Sequence, residues 1–201
     1  MRREIITGLL MGLGAWQLFA RSAGANIIGC SSTCAWGVNL QPDTMGIYTS
    51  GDNWADIKGT QWGAPAQVVT AVTTDTDSDP VLVVDNDVNN DTDFTWTGYD
   101  VTVSMPNPFS LYNAEVTNPA NWTATVTAPT EISPGEYEGA IDYAAGTPIL
   151  VGGELDFQYT LQFTGATSYS FTESVTPVPE PASIGLLTMG VVALLARRKR
   201  A

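Results

Sequence analysis

The chain has 201 residues, enough for one domain with a real core, and 8 Lys+Arg against 21 Asp+Glu leave a net charge of −13. Seven of the eight bases sit at the two ends, so the stretch 26–178 sets 19 acids against Lys58 alone, a net charge of −18 that repels nucleic acid and excludes it as a partner. There is no histidine, which removes Ser-His-Asp and Cys-His catalysis and the commonest transition-metal ligand.

Residues 1–25 begin Met1-Arg2-Arg3, run through a mostly apolar stretch from Ile5 to Ala20 and close on Ala23-Gly24-Ala25. A positive start, an oily stretch and an A-x-A site make a secretory signal peptide, a helix with Ala23 and Ala25 at its cleavage site and the cut expected after Ala25.

Residues 26–65 are rich in Gly and Trp and read as irregular, with one or two edge strands. They hold both cysteines, Cys30 and Cys34. An exported protein meets oxidising conditions, so a small local disulfide is expected, with free thiols the alternative. Two cysteines without histidine make a poor zinc site. Trp54 and Trp62 lie outside any strand parity and would be free to stack on sugar rings, whereas Trp96 and Trp122 follow strand parity and belong to the core.

Residues 66–175 alternate throughout. Leu155, Phe157, Tyr159, Leu161 and Phe163 oppose Glu154, Asp156, Gln158, Thr160 and Gln162, the period-2 pattern of a half-buried strand. Tyr137–Tyr143, Trp122–Val126 and Tyr169–Phe171 repeat it. Between Phe94-Trp96 and Tyr99-Val101-Val103-Met105 the phase switches, and a bulge at Gly98 would keep both halves facing the core. Val81 to Val84 is apolar on both parities and reads as a strand covered on both faces. Turn signals such as Pro106-Asn107-Pro108 and Ser133-Pro134-Gly135 separate about eight strands. The expected fold is all-β, an antiparallel β-sandwich of jelly-roll or immunoglobulin-like kind, flanked by the signal helix and a C-terminal transmembrane helix.

Asp75, Asp77 and Asp79, then Asp85, Asp87, Asp91 and Asp93, are the densest polar feature. Spaced carboxylates invite calcium, which takes six to eight oxygens. The EF-hand spacing fails: counting from Asp85, Asn90 stands at the glycine position and Trp96 at the terminal Glu position. The competing reading is two solvated turns around a strand, where Asp and Asn serve the backbone. No cofactor is expected, with weak surface calcium the alternative. The carboxylates Glu136, Glu138, Asp142, Glu154 and Asp156 fall on the wet parity of their strands, so no enzyme is expected either.

Thr172 to Pro179 reads as a short linker to the chain's end, and residues 176–201 hold the last of it, Val178-Pro179-Glu180-Pro181, then an apolar run: Ala182, Ser183, Ile184, Gly185, Leu186, Leu187, Thr188, Met189, Gly190, Val191, Val192, Ala193, Leu194, Leu195 and Ala196. As a helix these 15 residues reach about 22 Å, short of the roughly 30 Å hydrocarbon core but able to insert with local thinning. The basic stop Arg197, Arg198, Lys199 and Arg200 stays cytoplasmic, which places the body outside, in agreement with the signal peptide. Pro179, Glu180 and Pro181, the short apolar helix and the basic terminus together resemble the PEP-CTERM sorting signal. That resemblance implies processing by an exosortase-type membrane protease, a transient inner-membrane anchor, and delivery to the surface or extracellular matrix of a Gram-negative bacterium, where polysaccharide is a possible partner. The expected function is an exported, non-enzymatic surface or biofilm-matrix protein, with a carbohydrate-binding module using exposed aromatics as the alternative.

Overall fold

A computed structural model describes residues 25–47, 53–163 and 165–181. The signal peptide up to Gly24, with Ala23, and the apolar segment and basic stop from Ala182 onward lie outside the described residues. Among the described residues there are eleven strands and no helix: β1 (Ile27–Cys34), β2 (Val38–Ile47), β3 (Asn53–Gln61), β4 (Ala66–Thr74), β5 (Val81–Asn90), β6 (Trp96–Met105), β7 (Phe109–Asn118), β8 (Thr123–Ser133), β9 (Glu136–Ile149), β10 (Glu154–Phe163) and β11 (Ser168–Pro179). They form a six-stranded sheet, β1-β4-β11-β6-β9-β8, and a five-stranded sheet, β2-β3-β5-β10-β7. The eight strands expected between 66 and 175 are β4 to β11.

The alternating side chains explain why the sheets meet face to face. Leu155, Phe157, Tyr159, Leu161 and Phe163 of β10 are all buried, and burying each such side chain contributes about 1.5–3 kcal/mol. Across the core Tyr99 of β6 and Tyr143 of β9 pack on Phe157 of β10, with ring centroids 5.3 and 4.9 Å apart. These contacts join the two sheets through aromatic edges and faces. The phase switch in β6 is a register shift between Trp96 and Gly98, and it leaves Trp96, Tyr99, Val101 and Val103 all inward.

Three features differ from expectation. Residues 26–65 are not mainly irregular: β1 and β2 are edge strands, and β3 lies inside the second sheet. In β3 the inward positions Asn53, Ala55, Ile57 and Gln61 are small or polar, so the apolar alternation is faint although the burial alternation is strong. Gly59 is required here, because a Cβ would stand 1.7 Å from the Asn39 carbonyl oxygen of β2. The second sheet is not purely antiparallel, since β3 and β5 pair in parallel. The chain crosses from β3 to β4 in the other sheet and returns, so β5 runs in the direction of β3. Finally, Thr172 to Pro179 is no linker. It is the last eight of the twelve residues of β11, with Glu173, Val175 and Pro177 inward. β4 stops pairing at Val175↔Ala66, so Pro177 sits where only β6 adjoins the strand and its missing N–H costs no ladder bond on the open side.

Candidate functional site

The end of β11 carries the Pro-Glu-Pro motif into the sandwich. Val178 pairs with Gly98 and Pro179 with Trp96. The Glu180 N–H donates to the Thr95 carbonyl at 3.3 Å, and the Thr97 hydroxyl donates to the carbonyls of Val178 and Pro179 at 3.4 and 3.2 Å. Val178, Pro179, Glu180 and Pro181 are exposed. The motif therefore starts as an accessible edge strand, anchored through its backbone and open along its side chains.

On the outer face of the five-stranded sheet a recess of about 470 Å³ is lined by Val81, Val83, Tyr112, Glu115, Gln158 and Thr160, with Asn113 and Ala114 at its rim. The recess forms because β7 is bulged: Glu115 pairs with Gln158 and Tyr112 with Thr160, leaving Asn113 and Ala114 opposite Tyr159. Asn113 takes a φ of 51°, the left-handed region that asparagine tolerates. Gln158 Nε2 donates to Glu115 Oε1. Beside the recess lies an acidic band. Lys58 Nζ stands 3.0 Å from Asp87, 3.4 Å from Asp56 and 3.9 Å from Asp43, and hydrogen bonding and attraction from Asp87, then Asp56, hold its ammonium above the usual lysine range. Burial pushes the Asp156 carboxyl up to about 6, with Glu154, Asp87 and Asp85 adding like-charge repulsion.

Residues 177–200 match the PEP-CTERM protein-sorting motif. The match marks an exported protein addressed to exosortase, through a membrane-anchored intermediate, and it covers only the C-terminal end, leaving the body without a family assignment. No curated protein matches the chain. The sorting motif begins within the folded body, because its first residues, Pro177 to Pro179, are paired in β11.

The other expected site residues are dispersed. Asp75, Asp77 and Asp79 lie in the β4–β5 turn at the end of the sandwich opposite the sorting motif. Asp85 and Asp87 lie on the outer sheet face, and Asp91 and Asp93 at the motif end, with the ten residues of β5, about 30 Å, between the two turns. Among the described residues no three acids or cysteines gather as a group that could hold a metal ion. Two of the aspartates hold turns: Asp75 accepts the backbone N–H and the side-chain amide of Asn26, each at 2.8 Å, and Asp79 accepts the Gly165 N–H at 2.8 Å. Cys30 and Cys34 are not joined in a disulfide: both thiols are free, the alternative expected from the sequence. Positions four apart on one strand stand about 13 Å apart, beyond the Cα separation a disulfide spans. Cys34 Sγ instead accepts the Leu40 N–H at 3.1 Å, and burial pushes the Cys30 thiol up to about 11.

Trp96 and Trp122 are core residues as expected, with Trp122 Nε1–H donating to the Thr147 carbonyl at 2.7 Å. Trp62 is exposed, Trp54 half-buried, and among the described residues the most exposed tryptophan is Trp36. Two features had no obvious sequence signal. The recess depends on a bulge that neither Asn113 nor Ala114 announces. Glu173, fully buried in the core, lies on a parity shared with Tyr169, Phe171 and Val175, which is the one sign that could have found it.

Proposed function

We propose that the protein is a non-enzymatic sandwich of the cell surface or extracellular matrix of a Gram-negative bacterium, displayed or released by exosortase processing. The observation that carries this reading is the sorting motif, continuous with the last strand of an acidic body that has almost no basic charge. Such a body stays soluble and self-repelling outside the cell. Intact mass of the protein recovered from the growth medium tests the reading. The expected form starts near Asn26 and ends near Pro181, and retention of Arg197 to Arg200 in the exported protein would contradict it.

A carbohydrate-binding role is the second reading, favoured by the outer-face recess. Tyr112 offers a ring and Glu115, Gln158 and Thr160 offer hydrogen-bonding groups, the combination that recognises a sugar's faces and hydroxyls. Affinity electrophoresis through polysaccharide gels should show retardation of the wild type that is lost in Tyr112→Ala. Equal mobility of the two with every polysaccharide tried would remove this reading.

A further inference from the structure

The strands alternate in direction along the chain, so the β1–β2, β3–β4, β5–β6, β7–β8 and β9–β10 turns share one end of the sandwich with the exit of β11. Hydrogen bonds knit these turns into one surface. Trp62 N–H and Gly63 N–H donate to Gly37 O at 2.8 and 2.9 Å, Asp91 N–H to Gln61 O at 2.9 Å, and Gly152 N–H to Asn90 O at 2.7 Å. On this surface stand Trp36, 77 % exposed, Trp62, 42 %, Leu150, 66 %, and Val151, 56 %. The Trp36 ring leans on Gly63, where a Cβ would come within 2.7 Å of it, so its position is fixed by close packing on backbone.

The chain leaves from the middle of this surface. β11 is the third strand of its sheet, with β1 two strands to one side and β9 two strands to the other. At about 4.8 Å per strand, the two apolar groups flank the exit by roughly 10 Å each. Glu180, whose N–H donates to the Thr95 carbonyl, stands two residues before Ala182, where the apolar segment begins. Two extended residues reach about 7 Å. The headgroup layer on each side of the hydrocarbon core is about 5–8 Å deep. A membrane segment starting at Ala182 therefore brings this end of the body into the headgroups.

We propose that this end is a membrane-contacting face: before processing, Trp36 and Trp62 on one side and Leu150 and Val151 on the other insert into the headgroup layer around the anchor. Tryptophan suits that layer because its ring is apolar and its N–H finds polar partners. The face also carries Asp91, Asp93, Glu154 and Glu180 and no base, so the lipid it fits is zwitterionic, with anionic headgroups opposed. The inference rests on the reading of residues 182–196 as a membrane anchor.

The test uses the signal-cleaved chain, from Asn26 through the basic stop and so without Trp16, in phosphatidylcholine vesicles carrying headgroup spin-labelled lipid, compared with a Trp36→Phe/Trp62→Phe variant. Flotation first reports whether the chain is held by the vesicles. With both chains floating, tryptophan quenching should fall in the variant to less than half the wild-type value, because Trp96 and Trp122 are buried in the core and Trp54 stands at the start of β3, at the end of the sandwich away from the face. A Leu150→Ser/Val151→Ser variant, with every tryptophan retained, should float and lose quenching too. Flotation with equal quenching in all three chains would overturn the contact face while leaving the anchor intact. Failure to float would overturn the anchor reading and the face with it.

Discussion

Glu173 lies fully buried in β11, and neither of its carboxyl oxygens has a hydrogen-bond partner. Burial pushes its carboxyl up to about 7, against a smaller lowering influence from the neighbouring Tyr159 hydroxyl. The Tyr99 and Tyr143 hydroxyls near it are committed elsewhere, donating to Gln61 Oε1 at 2.6 Å and to the Gln158 carbonyl at 3.0 Å. The protonated carboxyl is therefore the form the core accepts. In the unfolded chain the group titrates near its ordinary 4.5. Below that pH both states hold the proton and the group's contribution is fully present. As pH rises from 4.5 through 7 the unfolded state loses the proton first, so stability falls, by about 3 kcal/mol in all. Asp156, on the sheet surface, adds a smaller fall in the same direction. Urea denaturation should give a higher midpoint at pH 5 than at pH 8, and Glu173→Gln should remove most of that difference. An unchanged difference in the variant would show that Glu173 is ionised in the fold or that its titration is solvated. The chain has no histidine, so no imidazole adds to the difference, and the Glu173→Gln variant separates Glu173 from Asp156.

At the level of the strand, β11 joins the body to its sorting signal. From Ser168 to Val175 it pairs with β4, and from Thr172 to Pro179 with β6, so a central strand ends as an edge. A chain ending after Pro181 should unfold in urea with the midpoint of the longer chain. A chain ending after Ser174 loses the buried Val175 and Pro177 and the β6 pairing beyond Ser174, and should be destabilised by more than about 3 kcal/mol, visible as lost near-ultraviolet circular dichroism at 25 °C. Equal stability of the two chains would show that the last turn of pairing contributes nothing. The same strand shows what the sequence makes legible. Tyr169 and Phe171 declare their parity because large apolar side chains alternate with Ser and Thr. From two residues later a buried carboxylic acid, Glu173, and two prolines, Pro177 and Pro179, interrupt that signal, and a strand looks like a linker. β3 hides for a related reason: its buried Asn53 and Gln61 are polar and satisfied by tertiary hydrogen bonds, Asn53 donating to Ala25 O and accepting from Ile27 N–H, Gln61 accepting from the Tyr99 hydroxyl. β10 and the Gly98 phase switch were legible because every inward residue there is apolar. The sorting motif was legible because it is a linear signal, whereas the recess and the tryptophan face exist only once turns distant in sequence meet.

For the molecule as a whole, charge is the dominant long-range feature. Within 26–178 the 19 acids face one lysine, and that lysine is already surrounded by Asp43, Asp56 and Asp87. The remaining acids spread over both turn ends and the outer sheet face, so their mutual repulsion is diffuse and acts through solvent, where salt screens it over about 10 Å at 0.1 M. Sodium chloride should therefore raise the melting temperature at pH 7, and raise it less at pH 4, where the carboxylates begin to neutralise. The same argument separates screening from a specific cation site. Because the aspartates of the β4–β5 and β5–β6 turns lie at opposite ends of β5, calcium at matched ionic strength should stabilise the fold little more than sodium, through its higher valence alone. A saturable rise in melting temperature at micromolar calcium, lost on Asp75→Asn/Asp77→Asn or on Asp91→Asn/Asp93→Asn, would show that one turn binds the ion by itself and that the body's acidity is organised locally rather than spread across its surface.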